Sequence, residues 1–400
     1  MHYGTSFVTG FMKNWVDNNG IPTIFVTCPS GEATVSISIP HLQINEEAST
    51  VGGVLTKSYS TTLSSATSGS ISTKAVFITS DTPVMLFSGS MKSGSSDISF
   101  VLPETSLGSS YIISGHPSTN AGLDEFLVIA TSDTTQVTIT LKTGSQETIT
   151  LNRLETYYRE ATDMSGTMIS ADAPISVLSG HGCANVPDNN VSYCDYIGET
   201  MPPESYLGSV HVLSFMKPRP DFTVSIIAPN DQTSVRIHDD LGNILETFSL
   251  MAREAAFRTY TGSATISVTS SLPVLVTQYG HGSSLVLGDP SVMVISDVNF
   301  FGYVYDFSVP AGFNAPSTLA IVMSDAYSTS GFLLNDMSLI TTQTKTIIIP
   351  GYGTYNVLYA DVEAGYNHLS HSQGNAVSFG AWIYGRTNNQ EYASLLGITV

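Results

Sequence analysis

The chain has 400 residues, 42% of them hydrophobic and only 12% charged, with 33 acidic against 14 basic side chains and a formal net charge of −19. That length exceeds what one hydrophobic core usually serves, so several packed units are expected. The carboxylate excess excludes nucleic acid and anionic membrane surfaces as partners, since both are bound through Lys and Arg, and no stretch approaches the roughly 18 uninterrupted apolar residues of a spanning helix.

The opening Met1-His2-Tyr3 lacks a charged head and apolar body, so no signal peptide is read there and the sequence is expected to be a piece or mature form of something longer. Gly4-Thr5-Ser6-Phe7-Val8 then starts a pattern that recurs as Gly108-Ser109-Ser110-Tyr111-Ile112, Gly208-Ser209-Val210-His211-Val212 and Gly302-Tyr303-Val304-Tyr305. Leu396-Gly397-Ile398-Thr399-Val400 begins it once more. The spacing is about 100 residues, and a fixed period means that each unit folds alike.

Within each unit the order repeats. An apolar run (residues 24–28, 126–130, 222–228, 319–323) leads to a polar turn. In the first three units the turn is followed by an alternating strand: Val35-Ser36-Ile37-Ser38-Ile39, Val137-Thr138-Ile139-Thr140-Leu141 and Val235-Arg236-Ile237-His238. Residues 49–73 form a Ser/Thr/Gly-rich insertion, read as a loop. A second hairpin is predicted around a Ser/Asp turn, with Pro83, Pro174 and Pro273 opening the return strand, where a missing N–H is tolerated. In the fourth copy Asn375 stands where proline is expected.

The predicted class is all-β: four tandem pseudo-repeats packed together, each a β-sandwich-like unit, with a closed propeller-like ring of four β-units as the alternative. The units are 1–107 with the Ser/Thr-rich insertion, 108–207, 208–301, and 302–400 with the terminal strand of a fifth copy.

Cys28 ends an apolar strand and reads as a small buried hydrophobe. Cys183 and Cys194 bracket a polar, turn-rich insertion found only in the second unit. A disulfide there would remove roughly 2–3 kcal/mol of loop entropy from the unfolded chain and implies an oxidising compartment; zinc ligation competes, but the spacing suits it poorly. The insertion also carries a glycosylation acceptor, Asn190-Val191-Ser192. His181, His281 and the pair His368 and His371 read as structural hydrogen-bonding histidines, and neither metal nor cofactor is expected. There is no G-x-S-x-G, H-E-x-x-H or G-x-G-x-x-G, so no enzyme is expected, although a carboxylate pair for glycan processing could come from distant parts of a chain.

The segment Ser179-Gly180-His181-Gly182-Cys183-Ala184-Asn185-Val186-Pro187, followed by Cys194-Asp195-Tyr196-Ile197-Gly198-Glu199-Thr200-Met201-Pro202-Pro203, resembles the N-terminal domain of the IgG Fc-binding proteins of mucus. Gly4 to Asn14, and Gly365 to His371 leading to residues 379–385 and 391–393, look like the same family, so the resemblance runs the length of the chain. It implies a secreted, non-enzymatic module in a mucus, matrix or cell-surface protein. The expected partner is an extracellular protein or glycan of mucin-like, matrix or immunoglobulin type. Immunoglobulin binding itself is not carried over, because no residue here matches an Fc contact. Asp188, Asn189, Tyr193 and Asp195 on or beside the cysteine-bracketed loop are the candidate binding residues, with a purely structural spacer as the rival reading.

Overall fold

The computed structural model describes residues 2–117, 122–188, 190–191, 193–282, 288–387 and 390–399. Among these, regular structure is strand joined by short 3-10 turns, without an α-helix. Three sheets share one strand order. The first runs Ile44–Ser49, Thr34–Ile39, Val76–Met91, Ile21–Thr27, Val54–Ser58. The second runs Gln146–Leu151, Thr135–Thr140, Met168–Ala184, Asp124–Ala130, Thr156–Ala161, and the third Ile244–Leu250, Thr233–His238, Thr265–Gly280, Phe222–Ile227, Ala255–Tyr260. The alternating strands behave as their period dictates: Val35 and Ile37, Val137 and Ile139, and Val235 and Ile237 are buried, with the intervening side chains on the other face.

One expectation fails. The predicted second hairpin is a single continuous strand in each of these sheets: Val76–Met91, Met168–Ala184 and Thr265–Gly280. Its first half pairs with the opening strand of the unit and its second half with the apolar strand. Between the halves the register with the opening strand jumps, so residues 80–83 and their counterparts bulge out of that ladder. Proline fits there because no ladder bond is asked of it, and the chain bends without reversing. The polar residues of the bulge cap the neighbouring strand: Asp81 Oδ1 accepts Thr34 N–H, Asp172 Oδ1 accepts Gln136 N–H and Ser271 Oγ accepts Ser234 N–H, each at 2.9 Å. In the last quarter the strand is interrupted outright. Gly365–His371 and Phe379–Arg386 lie in different sheets, separated by a 3-10 turn at Gly374–Ala376 where the proline is missing.

The insertion at residues 49–73 is also more than a loop. Its β-branched residues form Val54–Ser58, which joins the first sheet, and Ser70–Ser72, which adds an edge to the second by pairing with Thr156–Tyr158.

The recurring glycine has a steric cause. A Cβ on Gly108 would lie 2.6 Å from Pro203 Cβ, Pro103 crowds Gly4 in the same way, and Asp297 crowds Gly208. Where the fourth position of the motif is tyrosine the hydroxyl ties it down: Tyr111 Oη accepts Gly108 N–H at 3.0 Å and donates to Ile175 O at 2.6 Å. Tyr305 does the same with Gly302 N–H and Phe379 O, at 2.8 and 2.7 Å.

Four strands meet in the middle of the molecule: Asp97–Val101, Asp195–Thr200, Ser291–Val294 and Glu391–Leu395. Each is laddered on one side to the long strand behind it (in the last quarter, Phe379–Arg386), and each packs mainly against two of the other three, with Asp97–Val101 and Ser291–Val294 also touching across the middle. The two chain ends come together at one seam. His2 Nε2 bonds Val304 O at 2.8 Å, Tyr3 Oη donates to Asp306, and Thr399 N–H donates to Phe300 O at 2.9 Å. The central strands thus close on one another, while in each of the first three units the sheet curls about its long strand so that two ladders face each other, and one apolar core runs from Phe25, Phe87 and Phe100 to Ile398.

Candidate binding site

The cysteine-bracketed loop leaves the end of Met168–Ala184 and returns into Asp195–Thr200. Cys183 and Cys194 are disulfide-bonded, and Cys28 is a buried free thiol. Asn185 holds the loop from inside, its Nδ2 donating to Val191 O at 2.8 Å and Tyr193 O at 3.0 Å. Asp188 makes the turn, its carboxylate accepting Asn190 N–H at 2.8 Å and its carbonyl Val191 N–H at 3.2 Å. Underneath, Val186 and Ala184 pack with Ile197, Tyr279 and Val292. Asp188, Asn190 and Tyr193 face solvent, with Tyr193 41% exposed. Asn189, and Ser192 of the glycosylation acceptor, lie outside the described residues.

Asp195 is placed elsewhere. It is fully buried at the head of a central strand, so it takes no part in a surface patch. With Asp97, Glu199 and Glu391, each at most 3% exposed, it belongs to a set of carboxylates among the four central strands. Asp97 Oδ1 accepts Ile98 N–H at 2.9 Å and Ala393 N–H at 3.1 Å, while Oδ2 accepts Gly198 N–H at 3.2 Å. Asp195 Oδ2 accepts Glu391 N–H at 3.2 Å, Ser99 Oγ donates to Glu199 at 2.8 Å, and Ser394 Oγ accepts Phe100 N–H at 3.0 Å. Side chains thus satisfy the strand edges where neighbouring backbones are too far apart for a ladder. Burial pushes Asp97, Asp195 and Glu199 well above the usual carboxylate range, with Glu199 adding to the effect on Asp97, and with Asp289 and then Asp97 adding to that on Asp195. Arg219, buried, pairs with Glu391 and donates to His281 O. Burial raises Asp289 to about 7, against the pull of Arg219. The sequence did not mark these acids as one buried set, since the partners of Asp97 lie about 100 and about 300 positions away.

The histidines have structural partners. Cys183 N–H donates to His181 Nδ1 at 3.0 Å, and His281 Nε2 meets Thr223 Oγ1 at 2.9 Å. The strand Gly365–His371 sends His368 to Asp306 at 2.9 Å and His371 to Ser328 O at 3.0 Å, so the H-x-x-H pair diverges. Among the described residues no three His, Cys, Asp or Glu side chains are arranged to hold a metal ion, and no helix is long and apolar enough to cross a membrane.

Comparison with known proteins agrees with the motif. The human IgGFc-binding protein is 23% identical over 335 residues, covering 80% of this chain. The chain accounts for only 6% of that relative's length. Residues 97–385, well over half the chain and including the loop and all but the tip of the last quarter, match the family described as IgGFc binding protein. The chain belongs to the IgGFc-binding protein family.

Proposed function

We propose that this chain is a non-enzymatic extracellular binding module, and that the disulfide-tethered loop is its contact surface for a protein or glycan partner. The observation that carries this reading is the loop itself. Asp188 and Tyr193 stand exposed on a segment closed by a disulfide and pinned by Asn185 to a rigid β frame, so little conformational entropy is lost on binding. An exposed aromatic ring and an exposed carboxylate on one short loop suit either a protein surface or a sugar. Burial of the central carboxylates argues against the glycan-processing alternative, because substrate has no access to side chains at most 3% exposed. The relative's name makes an immunoglobulin Fc fragment the first candidate ligand to try.

The test is capture from an extracellular extract, with purified Fc fragment in parallel, by the wild-type chain and by D188A and Y193A. Both positions are exposed, and although D188A removes the turn bond to Asn190 N–H, the disulfide and Asn185 still hold the loop, so the fold around it is retained. Loss of a captured species in either variant supports the loop. Capture that is unchanged places the contact elsewhere, and no capture by any form favours the spacer reading.

A further inference from the structure

The outward face of the third sheet carries a second candidate site. Strand Thr233–His238 and the adjoining stretch of Thr265–Gly280 floor a surface groove of about 480 Å³, walled by the hairpin turn containing Pro350 and Tyr352. The wall is fixed in place, because Ile348 N–H donates to Asp240 O at 3.0 Å. Asp239 spends its carboxylate on its own turn at residues 239–243, accepting Leu241 N–H, Asn243 N–H and Asn243 Nδ2.

In a chain of net charge −19, the ionisable side chains lining this groove are basic or phenolic, namely Arg236, His238 and Tyr352. Arg236 is exposed and forms no ion pair among the described residues. His238 is 3% exposed, and its Nδ1 has no hydrogen-bond partner. The hydroxyls of Ser234 and Thr269 line the floor, and Tyr352 is 52% exposed.

The other sheets supply an internal control. By cross-strand register, Val35, Val137 and Val235 are equivalent, each opposite the corresponding position of its long strand. Arg236 and His238 therefore occupy the places of Ser36 and Ser38 in the first sheet and of Thr138 and Thr140 in the second. The groove over the first sheet is lined by Glu47, opposite Ser36, where the third sheet has Thr247 opposite Arg236; Glu46 keeps its counterpart in Glu246. The buried face keeps its Val and Ile, and the outer face alone has changed charge.

We propose that this groove binds an acidic saccharide, with the guanidinium of Arg236 on the ligand's anionic group, the floor hydroxyls of Ser234 and Thr269 on sugar hydroxyls, and Tyr352 against the ring face. A planar guanidinium pairs with carboxylate or sulfate alike, so the anion is a sialic acid carboxylate or a sugar sulfate ester. This site does not depend on the Cys183–Cys194 loop, and the loop variants above leave it intact.

The probes are sialyllactose, lactose 6-sulfate and neutral lactose, titrated into the full chain and followed by NMR line broadening or calorimetry. One or both acidic sugars are expected to bind at least tenfold more tightly than lactose, and whichever binds identifies the anion. R236A should lower that affinity at least tenfold, R236K less, and Y352A severalfold. Binding of neither acidic sugar at several millimolar, equal binding of lactose, or unchanged affinity in R236A would each overturn the proposal.

Discussion

Gly108 shows how a single atom can define the repeated motif. The position has no room for a methyl group against Pro203, which arrives from the strand end that precedes the next unit. G108A should cost roughly 1–3 kcal/mol, as overpacking of a close contact does, and read as a lowered urea midpoint; an unchanged midpoint would mean that the contact gives way. His116 tests the electrostatics under the loop. Burial, with His181 and His281 adding, pushes its imidazole down to about 4, against the pull of Asp188, and it packs against Tyr279 and Phe257. The folded state therefore resists a proton that the unfolded chain accepts near 6.5. The contribution is complete above pH 6.5 and is lost as pH falls towards 4, by roughly 3 kcal/mol. Its neighbour Asp124 accepts His116 N–H at 2.9 Å and is raised by burial to about 7. That group works in the opposite direction: its contribution is present at low pH and is lost as pH rises from about 4 to 7. H116F should thus gain stability relative to wild type between pH 7 and pH 4. A difference that stays flat with pH in paired urea titrations would show that the imidazole is not held neutral.

At the scale of elements, alternation in sequence revealed which face of Thr34–Ile39, Thr135–Thr140 and Thr233–His238 is buried, because a period of two is a local property of the strand. It could not show that the chain passes straight through Pro83, Pro174 and Pro273. A strand with a bulge and a hairpin have the same composition, and only the pairing partners separate them. The Cys183–Cys194 bond was legible from its bracketing of a single insertion. The central carboxylates were not, since Asp97 caps strands from two other quarters. Asp195 misled for the same reason: it follows a loop cysteine in sequence yet points into the molecule. D97A would leave buried donors at Gly198, Ala393 and Ile98 unsatisfied and should cost at least about 3 kcal/mol, whereas D97N retains an acceptor oxygen and should cost less. Equal denaturation midpoints for the two variants would contradict the capping role.

For the whole molecule, the closed arrangement of central strands makes a body whose first three sheets share one strand order, while loops and outer-face side chains differ among them. We read the segments 1–107, 108–207, 208–301 and 302–400 as its four structural units, each carrying one outer face and one set of loops. Recognition then belongs to what varies among the units, and the insertion of the second unit is the one closed by a disulfide. Hydrogen exchange measured by mass spectrometry on the chain, free and bound to its captured partner, tests this most directly. The account predicts slowed exchange in peptides spanning Ala184 to Tyr193, with the other units unchanged. Protection confined to another face, with the loop exchanging equally in both states, would contradict it.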